Sequence, residues 1–258
     1  MEFIKANFLN TTTQISVTSN TITAINLFTR DKFAQYYSVG NNSDLTTTTI
    51  TISFSETTLV SRIALVDTNV KSFDIYYNGS TANTFSLTTT GSTIASSFSN
   101  NSSSSVYLRA NTTAVSSITL DLKTTQTPNQ DKILGLLVIS DLYYAMPRLP
   151  SSNEYKPSII PKQIVHTLSD GGTRIHNIRN KWSTTIGLDY ITTEHRDALK
   201  AIWDLQSEFN FCPFGTTTSW DGIIIESVWV GPFDFYKYSD NAAVSGWSGD
   251  IKLKETPT

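Results

Sequence analysis

TTTTITISFS, residues 46–55, puts Ile50, Ile52 and Phe54 on one parity and Thr49, Thr51 and Ser53 on the other. Successive side chains of a strand leave opposite faces, so this run reads as a strand with an apolar core face and a hydroxyl-covered solvent face. Similar short runs surround it: QISVTS, VSRIALVD, SFDIYYNG, NTFSLTTT, VYLRA, SSITLDLK and KILGLLVISDLYYA. Clusters such as VGNNSD, NGSTAN and FSNNSSSS separate them. Strands recurring between turn signals, with little helical patterning up to about residue 145, predict a β-sandwich or jelly roll over residues 1–145. The run ILGLLVI (133–139) is apolar on both parities, which predicts a central strand covered on both sides.

A boundary follows. MPRLPSSNEYKPSIIP (146–161) contains Pro147, Pro150, Pro157 and Pro161. Proline has no N–H to give a ladder, so residues 146–162 read as an extended linker or arm able to lie against a neighbour. Beyond it the texture is mixed, and residues 163–258 read as a second β-sandwich or barrel with one packed helix. IRNKWSTTIGLDYI alternates like a strand, and TTEHRDALKAIWDLQSEF predicts a helix over about residues 193–209. Thr192 or Thr193 is the candidate cap, and Glu194 and Asp197 suit the first turn, where the helix dipole favours negative charge. Ala198, Leu199, Ile202, Leu205 and Phe209 form its apolar stripe, opposite Arg196, Lys200, Asp204 and Glu208. FNFCPF, GIIIESVWVGPFDFYKY and SGWSGDIKLKE then return to strand patterning.

Composition narrows the function classes. Of 258 residues only 16% are charged, and net charge is −3 with no Lys/Arg cluster interleaved with aromatics, which argues against nucleic-acid binding. The start, MEFIKANFLN, has no basic n-region followed by an apolar run, so neither a cleaved signal nor membrane insertion is expected. A single cysteine makes no internal disulfide. Asn-x-Ser/Thr triplets are frequent, as they must be by chance in a chain this rich in those residues.

Cys212 falls just past the C-terminal end of the predicted helix, where the dipole is negative and disfavours a thiolate, among Phe209, Phe211 and Phe214. It is expected to be inert packing. His166, His176 and His195 lack the spacing that puts metal ligands on one helical face, and no metal or cofactor is expected. Asp170 and Asp221 read as turn residues beside glycines, and no G-x-S-x-G elbow, P-loop or G-x-G-x-x-G occurs. The chain therefore reads as a non-enzyme. Adjacent aromatics at Tyr36–Tyr37, Tyr76–Tyr77 and Tyr143–Tyr144, with Trp220, Trp229 and Trp247, leave two readings open: outward rings for sugar stacking or a protein interface, or isolated surface aromatics.

TAINLFTRDKFAQYYSVG, followed by TITISFSETTLVSRIALVDTNVKSFDIYYNG, resembles discoidin-like, galactose-binding-type jelly rolls over about residues 15–145. The resemblance implies a loop at one end that binds carbohydrate, here holding Arg30, Asp31, Lys32, Tyr36 and Tyr37. The second half, from DGGTRIHNIRNKW to SGWSGDIKLKE, resembles bacteriophage tail proteins of the tube and tail-tip type. A jelly roll fused to such a domain is similar to distal tail and baseplate hub components. That resemblance implies a virion structural protein assembled in the bacterial cytoplasm, a homo-oligomeric ring of three or six copies, and partners among tube, hub and fibre proteins. A host-surface glycan is a further implied partner. The alternative is a carbohydrate-binding or adhesin module with no virion role. A Thr-rich tip ending at Trp220 is the remaining candidate contact with a neighbouring subunit.

Overall fold

The structure is a computed structural model that describes residues 1–29, 34–40, 42–89, 92–94, 97–147, 155–169, 172–213, 224–237 and 246–256. The chain is mainly β and forms sandwich-like sheets. Contacts divide it into two compact units. The first comprises residues 2–145 together with 212–224 and the last residue; the second comprises 146–211 and 225–257 with Met1. The units are thus not continuous ranges of the kind read from the sequence. Ile224 groups with the first unit, packing with Ala64, Leu136 and Val138.

Twelve strands lie in the first unit: β1 (Glu2–Ile4), β2 (Ile15–Val17), β3 (Tyr36–Tyr37), β4 (Thr48–Thr68), β5 (Val70–Tyr77), β6 (Ser80–Thr84), β7 (Leu87–Thr89), β8 (Ser92–Ile94), β9 (Ser97–Phe98), β10 (Val106–Thr125), β11 (Ile133–Ser140) and β12 (Leu142–Ala145). The order β3-β11-β4-β10-β5-β6 is antiparallel throughout, with β2 beside β4, and β1 pairs with β12. Long β4 changes partner along its length. Its first half pairs with β2 (Ile15↔Ile52) and its second half with β11 (Ile63↔Ile139). Between the halves the ladder to β10 slips twice, at Arg109/Thr113 and Val115/Ser117, and such bulges are where a strand bends between layers. Alternation in 48–53 is as the sequence predicts, with Ile50 and Ile52 fully buried. β11 is covered on both sides: Leu134, Leu137 and Ile139 enter the main core, and Leu136 and Val138 the smaller cluster with Ile224. The Asn78–Gly79 turn between β5 and β6 has both residues at positive φ, 53° and 68°, as the tight hairpin requires.

A buried charge cluster fixes β1 within this unit. Glu2, 2% exposed, accepts from Arg62 Nε and Nη2 at 3.0 Å each, pairs with Arg109 Nη2 at 2.8 Å, and accepts from the Tyr107 hydroxyl. Burial works against the Arg62 charge, but the Glu2 hydrogen bonds outweigh it and hold the guanidinium above its ordinary pKa.

The second unit holds β13 (Tyr155–Thr167), β14 (Thr173–Ile191), α1 (Thr193–Asp204), β15 (Phe209–Cys212, the last residue of which groups with the first unit), β16 (Ile225–Trp229), β17 (Phe235–Lys237) and β18 (Trp247–Glu255). Its strands run β15-β16-β18-β14-β13, with β17 also on β18. Thr192 caps α1, accepting from His195 N at 3.3 Å. Leu199 and Ile202 are its buried contacts, and Lys200 and Asp204 pair at 2.7 Å on the outer side. The helix is shorter than the predicted 193–209. Gln206 takes a left-handed φ of 46°, which no helix continues, and Phe209 opens β15. Tryptophans fasten α1: Trp203 Nε1 donates to Gly231 O at 3.1 Å, Trp247 Nε1 to Thr193 Oγ1 at 3.2 Å, and the Arg196 guanidinium lies 4.5 Å from the Trp247 ring centroid.

Candidate functional site

The residues singled out from the sequence do not assemble into one site. Arg30, Asp31 and Lys32 lie outside the described residues, as do Trp220 and the tip 214–223. Tyr36 is a core residue, which corrects its reading as a ligand contact: its side chain is fully buried against β11 and its hydroxyl donates to Ser19 O at 2.7 Å. Burial pushes its pKa up to about 12. Tyr37, its neighbour on the opposite face, is 37% exposed and donates to Gln35 Oε1 at 3.1 Å. Of that expected sugar loop, only Tyr37 offers a ring to solvent among the described residues.

Cys212, the single cysteine of the chain, is fully buried in β15. Trp229 and Trp247 are half-buried and packed rather than isolated on the surface: Trp229 lies 5.8 Å from Phe233, and Trp247 donates to Thr193 of the helix. Among the described residues no group of three or more His, Cys, Asp or Glu could hold a metal, and no helix is long and apolar enough to cross a membrane.

Two features of the second unit were not foreseen. The first is a projecting ribbon. β14 pairs with β18 only from Ser183 to Ile191, so its outer part, Thr173–Lys181, is paired with β13 alone among the described strands, while Trp182 at its base donates its N–H to Glu255 Oε2 at 2.8 Å and lies 5.9 Å from the Phe211 ring. Adjacent apolar residues on β13, Ile159–Ile160 and Ile164–Val165, place one side chain on each face of this ribbon. All four are exposed, by 69%, 49%, 45% and 58%, and Ile175, directly opposite Val165, by 58%. Prolines in this stretch suggested a linker, yet Pro157 and Pro161 both sit in β13. They are tolerated because β13 is an edge strand and the two, four residues apart, share a parity, so their missing donors lie on the same side of the strand.

The second is a cavity of about 350 Å³ where β14, β17 and β18 run side by side. Gly187, paired with Asp250, and Gly249, paired with Leu188 and Phe235, leave a depression in the sheet. Its rim carries Asp189, Asp234, Asp250, Tyr236 and Lys252, a net negative set. Gly249 admits no side chain, since a Cβ there would lie 2.4 Å from the Asp234 carbonyl oxygen. β17 and β18 build this cavity with β14, which lies far earlier in the chain, so no local pattern announces it.

No protein-family profile matches the chain, and no curated protein matches it. Solved structures do. The chitosan-binding module 1 of a chitosanase/glucanase from Paenibacillus sp. IK-5 is 11% identical over 48% of this chain and 92% of its own, with a TM-score of 0.36. A selenomethionine-labelled single-residue variant of that module gives 9% identity, 54% and 98% coverage and a TM-score of 0.38. The CBM32-1, CBM32-2 and M60 catalytic domains of Clostridium perfringens ZmpB give 11% identity over 98% of this chain and 36% of that one, at a TM-score of 0.38. These neighbours contain carbohydrate-binding modules, and at TM-scores below 0.5 the likeness says nothing of ligand or activity. The tail resemblance rests on the sequence alone.

Proposed function

We propose that the protein is a non-enzymatic structural protein that assembles with copies of itself through its second unit and displays its first, β-sandwich unit. The ribbon carries this reading. A two-stranded ribbon is marginally stable in water, and one with exposed isoleucines and valine on both faces is an interaction element in search of cover. With the sequence resemblance of residues 170–255 to tube and tail-tip proteins, the reading extends to a component of a bacteriophage distal tail or baseplate, assembled in the host cytoplasm. Multivalent display would let individually weak surface contacts add up. Sedimentation velocity and negative-stain imaging of the full chain test it: a ring is expected, and a strictly monomeric protein at high concentration would sink the proposal.

A second reading, a carbohydrate-binding module with no virion role, is favoured by the exposed ring of Tyr37 beside Gln35 on the first unit. A glycan array probed with the full chain and with Tyr37→Ala separates the two. Specific binding lost in the variant, by a protein that stays monomeric, supports the module.

A further inference from the structure

Resting on the self-associating reading, we infer that the ribbon of one copy docks on the acidic cavity face of the second unit of another copy, giving a head-to-tail interface. Charge picks the occupant. Between residues 159 and 182 the chain has Lys162, Arg174, Arg179 and Lys181 against Asp170 alone. That segment is therefore +3 in a chain of net −3, which leaves −6 for everything else. Arg174, Ile159, Ile160, Ile164, Val165 and Ile175 of the ribbon are exposed. The cavity offers the complement: Asp189, Asp234 and Asp250 against Lys252, with the Tyr236 ring, 64% exposed, as apolar contact. Complementary patches steer and orient association.

A ribbon cannot reach the cavity of its own chain. Arg174 and Asp189 belong to one strand, β14, and the rise per residue separates them by roughly 50 Å along it. The recipient must be a second copy. Two different patches of the chain then meet, a heterologous contact that generates a ring when the rotation closes. Pro157 and Pro161 leave gaps in the hydrogen-bonding edge of β13, so the ribbon engages by its side-chain faces rather than by adding a strand.

Charge reversal on each side tests the pairing in the full chain. Lys162→Glu/Arg174→Glu alters the ribbon and Asp234→Lys/Asp250→Lys alters the cavity rim. By sedimentation at moderate salt, each variant alone should associate at least about tenfold more weakly than wild type, since like charges then face each other. An equimolar mixture should recover association, because each variant's ribbon matches the other's rim, and that recovery also shows both to be folded. If wild type associates and either variant alone does so as tightly, or the mixture fails to recover, this interface is wrong while self-association stands. Were wild type itself monomeric, both would fall.

Discussion

Glu2 is the residue on which the first unit is most exposed to failure. Its carboxylate is buried and faces two guanidiniums and a phenol, so removing it strands two positive charges with little water to solvate them. Breaking a buried pair from one side costs about 3–5 kcal/mol. Glu2→Ala should lower the urea midpoint by a corresponding amount, and a loss under about 1 kcal/mol would show that the cluster contributes little. Asp141 sets a pH limit in the same unit. Burial pushes its pKa up, but the Ser61 hydroxyl at 2.6 Å and the Lys5 ammonium at 2.9 Å more than reverse this and leave it lowered. With a folded pKa below the unfolded value of about 3.9, the folded chain holds fewer protons there. The stability from Asp141 is therefore fully present above about pH 4 and is lost as pH falls through the folded pKa. Asp141→Asn should flatten the decline in denaturation midpoint between neutral pH and pH 3; an unchanged slope would put the pH dependence elsewhere.

Elements differ in how openly the sequence declares them. The strand at 46–55 and the doubly covered β11 were legible because period two and its absence are local signals. Helix α1 was legible in its start, where Thr192 and the following stripe agree, but not in its end, because Gln206 adopts a left-handed φ with nothing in its residue type to say so. Tyr36 and Tyr37 show the limit for a site: alternation says that one ring is inside, and only the pairing of β3 with β11 says which. Gly249 was hidden in the same way, as one more residue of a strand. β17 runs alongside it, so Gly249→Ala pushes a methyl group against the Asp234 carbonyl and the Phe235 ring. Overpacking of this kind costs about 1–3 kcal/mol. The substitution should lower the thermal midpoint and loosen β17 from β18, visible as faster amide exchange at residues 247–249, and a variant as stable as wild type would mean that β17 moves freely.

At the scale of the whole molecule, stability is unevenly distributed, and the ribbon is where the difference can be measured. Strands β4 and β10 lie in a sheet with partners on either side and a buried core, so their amides open only with large-scale unfolding. Ribbon residues 159–167 and 173–181 pair with each other, and Ile159, Ile160, Ile164, Val165 and Ile175 are exposed. Left in water, such a ribbon opens at little free-energy cost. Covering it by a neighbour would add contacts to one element and none to the sandwich. Hydrogen exchange of the full chain at low and high protein concentration should therefore slow in the ribbon as concentration rises, while β4 and β10 exchange equally slowly in both. Slowing would follow occupancy of the interface, growing with concentration relative to its Kd, so raised salt should reverse it if opposite charges hold the ribbon in place. Ribbon amides that are protected equally at every dilution would mean that the two strands are stable unaided, and the exposed isoleucines would no longer require a partner.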